Sequence, residues 1–316
     1  KIWEEFNETY ITLGGFEGME NYRYLYFILV LTLCILSIYS NAIIVYIIWE
    51  HQNLHESMYI FIAALSVNSL LVSINIYPKL LIDFLSEKQT VSYSVCLLQY
   101  FLCYCLGIVD LLLLAAMAFD RYVSICKPLV YPNIMTNRTV VVVLVFAWFV
   151  PASQILSFCI KGFFCTNSIF KLHCILNTIF CNNSHYNLHI FAMVMIALFP
   201  VFFILFTYTR ILIISYRSGR EVRKKAAHTC LPHLLVLVSF SLLCTYDVVI
   251  VRHGTDLSKL VRLLMTFQAI LYHPLFNPIV YGLKMKEISK HLKRLFCQSK
   301  SFNAFKTFVL QYVWWQ

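Results

Sequence analysis

Apolar residues fall along the chain in seven long blocks, roughly 24–49, 58–85, 94–123, 139–160, 188–215, 229–251 and 258–282. Each reaches or exceeds about 20 residues, the length an α-helix needs to cross the hydrocarbon core of a bilayer. The pattern predicts an all-α membrane protein built as a seven-transmembrane helix bundle. Several blocks exceed what the core requires, which predicts tilted helices. The polar segments between them are short, except one of roughly 27 residues between spans four and five, well above ordinary loop length. No internal repeat or low-complexity segment interrupts the series. The chain therefore divides into a polar, acidic tail over 1–23, a bundle over 24–283, and an amphipathic helix with a tail over 284–316. The opening residues lack the basic-then-apolar start of a cleaved signal peptide, so span one is expected to direct insertion.

Composition agrees with a membrane setting. The 316 residues are 60% hydrophobic and 13% charged, against about a quarter charged in soluble domains. The net charge of +10 then has a topological meaning. Most of the basic residues sit in three segments. Arg121, Lys127 and Arg138 lie between spans three and four. Arg210, Arg217, Arg220, Arg223, Lys224 and Lys225 lie between five and six. Lys284, Lys286, Lys290, Lys293, Arg294, Lys300 and Lys306 follow span seven. Inside-positive bias places these segments in the cytoplasm, with the N-terminus outside and the C-terminus inside. The first inner loop, EHQNLHE, has no Lys or Arg and does not contribute. No glycine-rich loop or basic–aromatic stripe points to nucleic acid, so the lipid bilayer is the implied surroundings.

Two charged sites stand against this apolar background. Asp110 lies within span three, ten residues before Asp120 and so about 15 Å along the helix. An ionisable residue inside a span is a functional candidate by default; the other reading is a protonated, hydrogen-bonded carboxyl. Asp120 and Arg121 sit side by side at the end of the same span. Their plain reading is a helix end anchored by snorkelling.

Cysteines and sequons divide by compartment. Cys96, Cys165, Cys174 and Cys181 are assigned outside, where an oxidising space permits disulfides, and four cysteines allow three pairings. Cys34, Cys103, Cys105, Cys159 and Cys244 fall within spans as small apolar packing residues. Cys297 is open to palmitoylation or to remaining a reduced thiol. Asn7 heads a glycosylation sequon on the outer tail, and Asn182 heads another in the long outer loop. The sequon at Asn137 falls inside and is expected to be unused.

Several local motifs occur in order. MAFDRYVSICKPLVY at the end of span three resembles the MAYDRYVAICxPLxY signature of olfactory receptors, a family of rhodopsin-like G-protein-coupled receptors. KAAHTCLPHL resembles their KAxxTCxxHL at the inner start of span six. LHESMYIFIAALS resembles LHxPMYxFIxxLS, with Ser57 where proline is usual. FNPIVYGLKMKEI resembles LNPxIYSLRNKE, and TVSYSVCLLQ resembles TISYxGCLTQ. The resemblance runs from about Glu20 to Leu295. The stretch around span two, VNSLLVSINIYPKLLIDFLS, resembles receptors of fishes more than those of mammals.

The resemblance implies a receptor that is not an enzyme, binds small-molecule odorants, and activates a heterotrimeric, stimulatory olfactory-type G protein from its cytoplasmic face. Its place would be the plasma membrane, in the cilia of olfactory sensory neurons. It makes Asp120, Arg121, Tyr122, Tyr208, Asn277, Pro278 and Tyr281 the activation switch. Asp120 would hold Arg121 at rest, and an outward swing of span six would free it. Many rhodopsin-like receptors add an acid on span six to this lock; here that position is Arg223, so the resting state is expected to rely on the local pair and on packing. Asp110 matches a position that lines a sodium-binding polar core, but the usual partner acid on span two is replaced by Ser69. Asn41, Asn68 and Asn277 are then possible hydrogen-bond partners, and a sodium ion is the one possible cofactor.

On the outer side, the resemblance pairs Cys96 with Cys174. The remaining pair, Cys165–Cys181, would close a loop stabilising by about 3 kcal/mol. The ligand pocket would lie among spans three, five, six and seven and include Cys103, Tyr104, Gly107, Ile108, Thr245, Val248 and Tyr272. Arg252 is either a partner for an anionic odorant or a solvated rim charge. Aminergic receptors require an aspartate where this chain has Cys103, and opsins a lysine where it has Leu271, so neither an amine ion pair nor a retinal Schiff base is expected. Other classes fit less well. A transporter would show repeats and broken helices, and His228, Cys230 and His233 do not follow a zinc spacing.

Overall fold

The computed structural model describes residues 10–12, 22–86, 90–160, 184–217, 234–236, 238, 274–282 and 285–298. The first apolar block forms α1, Arg23–Glu50, 28 residues with no internal glycine or proline. A short 3₁₀ turn at Gln52–Leu54 leads into α2, Ser57–Leu85. The third block forms α3, Tyr93–Cys126, and after a turn comes the four-residue α4, Tyr131–Ile134. Then follow α5, Asn137–Ile160, and α6, Ser184–Arg217. Residues 274–282 are helical, and α7, Lys286–Gln298, follows them.

Among the described residues, five helices are long and apolar enough to cross a membrane: α1, α2, α3, α5 and α6. They coincide with the first five apolar blocks. α3 has 34 residues, about 51 Å of helix at 1.5 Å per residue. That exceeds a hydrocarbon core of roughly 30 Å, so α3 must tilt or project beyond it. Pro78, Pro151 and Pro200 lie inside α2, α5 and α6. Spanning helices accept proline because neighbouring groups re-satisfy the freed backbone.

The burial pattern also fits lipid as solvent. Phe146, Phe149, Phe199, Phe202 and Phe206 are exposed along α5 and α6. In water such a face would be an aggregation liability; against acyl chains it needs no cover. The core lies at the centre of the bundle, where α3 packs on α2, α5 and α6. Phe61, Leu65, Leu113, Met117, Ile155, Ile204 and Val280 are buried there together.

One feature departs from the sequence expectation of helix alone. Tyr10–Thr12 pairs antiparallel with Thr90–Ser92, Ile11 opposite Val91. This ribbon sits at the N-terminal end of α3, where Ser92 Oγ accepts a hydrogen bond from Val95 N at 3.4 Å and caps the helix. Lys79 pairs with the buried Asp83 one turn along α2 and donates to the Thr90 carbonyl at 2.9 Å. The ribbon is thereby tied to α2. At the opposite end, α7 folds back beneath 274–282. Gly282 permits this approach: a Cβ there would stand 3.3 Å from Leu292 Cδ1.

Candidate functional site

Asp120 is fully buried near the C-terminal end of α3, while the Arg121 side chain retains 12% of its accessibility. Neighbours in sequence do not face each other on a helix, so Arg121 must curl its long stem back. Its Nε donates to Asp120 Oδ2 at 2.9 Å, and Nη2 donates to the same oxygen. That leaves Oδ1 for other donors, and two reach it. Ser57 Oγ, from the first residue of α2, donates to Oδ1. Tyr131 OH, from the first residue of α4, donates to it at 2.9 Å.

Ser57 Oγ and Tyr131 OH are themselves 2.8 Å apart. Three polar edges therefore share two hydroxyl protons. When both go to Asp120 Oδ1, the Ser57–Tyr131 edge carries no proton and is a close approach of two oxygens rather than a third hydrogen bond. A phenol is a donor at neutral pH in any case, and burial pushes Tyr131 further up from its ordinary value. A buried carboxylate is tolerable only when its lone pairs are filled, and here four donor groups fill them. Asp120 and Arg121, which the resemblance names among the switch residues, pair with each other. Ser57 and Tyr131 were not foreseen as members. Tyr131 closes the very motif that identifies the span; the departure from proline at position 57 was the available signal for Ser57.

The other residues that the resemblance names for the switch lie on the same bundle. Tyr122 is half-buried, and Tyr208 of α6, Asn277, Pro278 and Tyr281 are buried. Between this end and the ribbon lies a polar layer. Asn41 Nδ2 donates to the carbonyls of Ser37 at 2.8 Å and Pro274 at 2.7 Å, joining α1 to 274–282. Asn68 Nδ2 donates to Leu106 O at 2.9 Å, joining α2 to α3. Asn277 Nδ2 donates to Ser69 Oγ at 3.3 Å. Asn41 and Asn68 give their nitrogens to carbonyl oxygens, which only accept, so the orientation of those two amides is fixed. The three opposing oxygens, Asn41 Oδ1, Asn68 Oδ1 and Asn277 Oδ1, are buried without a hydrogen-bond donor among the described residues. Ser69, which accepts from Asn277, and Asp110 are also buried.

Of the expected pocket residues, four are described. Cys103 is exposed, Tyr104 and Gly107 are half-buried, and Ile108 is buried. Among the described residues nothing comes within 4 Å of a Cβ built on Gly107. Thr245, Val248, Arg252 and Tyr272 lie outside the described residues. So do Arg223, Cys165, Cys174, Cys181, Asn7 and the group His228, Cys230 and His233.

A second unforeseen contact lies where α7 meets α1. The rings of His51 and His291 stand 3.7 Å apart, centroid to centroid. His51 Nδ1 lies 3.0 Å from the Ile47 carbonyl oxygen, so Nδ1 carries the proton. His291 is buried. Burial, then His51, Arg294 and Lys290, depress its pKa below 6.5, with Glu287 opposing. The undocked imidazole protonates first as pH falls. Docking of α7 is therefore at full strength above pH 6.5 and weakens as pH drops through and below that value. Amide exchange in α7, corrected for its intrinsic pH dependence, is expected to be faster at pH 5.5 than at 7.5. His291→Phe should remove that difference; a difference that survives the substitution contradicts this assignment.

Comparison with known proteins bears on the whole chain. The family described as olfactory receptor matches residues 29–299. Olfactory receptor 6B1 of Homo sapiens is 33% identical, covering 93% of this chain and 97% of its own length. Olfactory receptor 52A1 of Homo sapiens is 31% identical over 91% and 96%, and olfactory receptor 11A1 of Homo sapiens 32% over 92% and 94%. Coverage of this extent takes in the spans at both ends of the chain as well as the Asp120–Arg121 motif. The chain belongs to the olfactory receptor family of rhodopsin-like G-protein-coupled receptors, and is a seven-span membrane signalling receptor rather than an enzyme.

Proposed function

We propose that this receptor, its N-terminus outside, binds a small-molecule odorant among spans three, five, six and seven and signals through a stimulatory, olfactory-type G protein. The observation that carries the reading is the closed cluster on Asp120. A buried carboxylate holding a partly accessible arginine is an arrangement with two states, since the arginine has somewhere to go. A ligand shifts the balance only by binding one state better than the other. Span six moving outward is the step that would give Arg121 to the G protein. The test is an odorant panel applied to cells expressing the chain, read with a cyclic-AMP reporter. An evoked rise that disappears when the stimulatory α subunit is deleted is expected. A rise that persists without that subunit overturns the coupling.

The polar layer supports a sodium ion as a ligand of the resting state. Hard cations take oxygen ligands, and the layer offers the Asp110 carboxyl, the Ser69 hydroxyl and three amide oxygens that lack donors among the described residues. These residues fit the ion. An ion held there would tie α1, α2, α3 and 274–282 together. The solubilised receptor is expected to melt at a higher temperature in sodium chloride than in equimolar choline chloride. Asp110→Asn should erase the difference. An equal difference in that variant contradicts a site on Asp110.

A further inference from the structure

Ser57 occupies the position where the matching family motif carries proline. Proline at the first residue of a helix is favourable, because that residue's N–H has no intrahelical acceptor. The backbone here is suited to it. Glu56 precedes the helix at φ −73° and ψ 153°, the extended conformation that proline imposes on its predecessor. The first turn of α2 is held by Tyr59 N and Ile60 N, both donating to Glu56 O. The serine is therefore not explained by the needs of helix α2.

What serine adds is one hydroxyl, and that hydroxyl is used. It is buried, donates to Asp120 Oδ1 and meets Tyr131 OH at 2.8 Å. It thus links the start of α2 to α3 and to α4. With proline in its place, Asp120 Oδ1 would keep Tyr131 alone.

We infer that Ser57 is a positioning residue that, with Tyr131, clamps Asp120 in the orientation that retains Arg121 and so lowers ligand-free signalling. The inference rests on the proposed switch. A clamp on the carboxylate stabilises the resting arrangement only if release of Arg121 requires Asp120 to move or lose its partners. Ser57 and Tyr131 approach from two separate elements and both bond the oxygen that Arg121 does not use. They therefore fix the carboxylate's rotation and leave Oδ2 facing the guanidinium.

The test is ligand-free cyclic AMP per receptor at the cell surface. Ser57→Pro and Ser57→Ala are both expected to raise it about threefold, while Ser57→Thr, which keeps the hydroxyl, stays within the wild-type range. In a Tyr131→Phe background the rise from Ser57→Ala should be larger, because Asp120 Oδ1 then loses both of its hydroxyl donors. On an Asp120→Ala background Ser57→Pro should add nothing. A purely structural role would lower surface expression without this dependence on Asp120. Unchanged signalling in both Pro and Ala variants overturns the inference, as does an equal rise on the Asp120→Ala background. So does failure of both variants to reach the surface while the Thr variant does, since the hydroxyl would then serve folding. If Asp120→Ala itself leaves ligand-free signalling unchanged, it is the switch that fails. If Asp120→Ala raises signalling and the Ser57 variants do not, only the clamp fails.

Discussion

Arg121→Ala is expected to abolish signalling, ligand-free and odorant-evoked, while the receptor still reaches the cell surface. The separation of the two effects follows from the geometry. Removing the guanidinium takes away the donors to Asp120 Oδ2. The carboxyl keeps Ser57 and Tyr131 on Oδ1, so the buried acid is not left bare, and any residual cost can be met by protonation. Apolar packing around Leu113, Met117 and Ile204 is untouched. Function has no such reserve, because no other described cation makes the Asp120 pair. A loss of tenfold or more is expected, corresponding to at least about 1.4 kcal/mol of lost coupling. Surface immunostaining and cyclic AMP on the same cells read both halves. Normal signalling in the variant contradicts the assigned role.

Asp120→Ala should act in the opposite direction. It removes the acceptor for four donor groups at once. Arg121 loses its partner, and the two hydroxyls keep only each other, 2.8 Å apart. Breaking a buried pair by deleting one side costs roughly 3–5 kcal/mol, and part of that burden falls on the resting arrangement alone. A differential of about 1.4 kcal/mol changes the population ratio tenfold. Ligand-free signalling per surface receptor is expected to rise by about that factor, with a lower melting temperature. An unchanged or reduced ligand-free signal would argue that Asp120 does not restrain Arg121.

The long-range order of this protein was legible where chemistry repeats along the chain. Five membrane-length helices match the first five apolar blocks because each block must satisfy its own backbone in lipid. The Asp120–Arg121 pair was legible because its members are adjacent. Contacts between distant residues were not. Ser57 and Asp120 are 63 positions apart, and neither residue type announces the other. The ribbon joins Tyr10–Thr12 to Thr90–Ser92 through strands too short to show an alternation. His51 and His291 meet only because α7 turns back beneath Gly282, a close approach that a glycine in an apolar stretch permits but does not specify. The absence of an acid at Arg223 pointed to a resting state held locally. The hydrogen bonds on Asp120 come from α2, α3 and α4 and are not confined to one pair.

The polar layer shows the same boundary. Asp110 was singled out from sequence as a charge within a span. Its surroundings depended on the tertiary arrangement. Asn41, Asn68 and Asn277 were candidate partners, but which of their atoms would be bonded was not readable. Each uses its nitrogen to join two helices and turns its oxygen to the interior.

The central claim is that Arg121 is the effector and Asp120 its restraint. The most direct measurement is the ligand-free cyclic AMP produced, per surface receptor, by the Asp120→Ala/Arg121→Ala double variant. With the effector gone, removing the restraint has nothing to release, and the double variant should be as silent as Arg121→Ala alone. Ligand-free signalling raised to the level of Asp120→Ala would contradict the account.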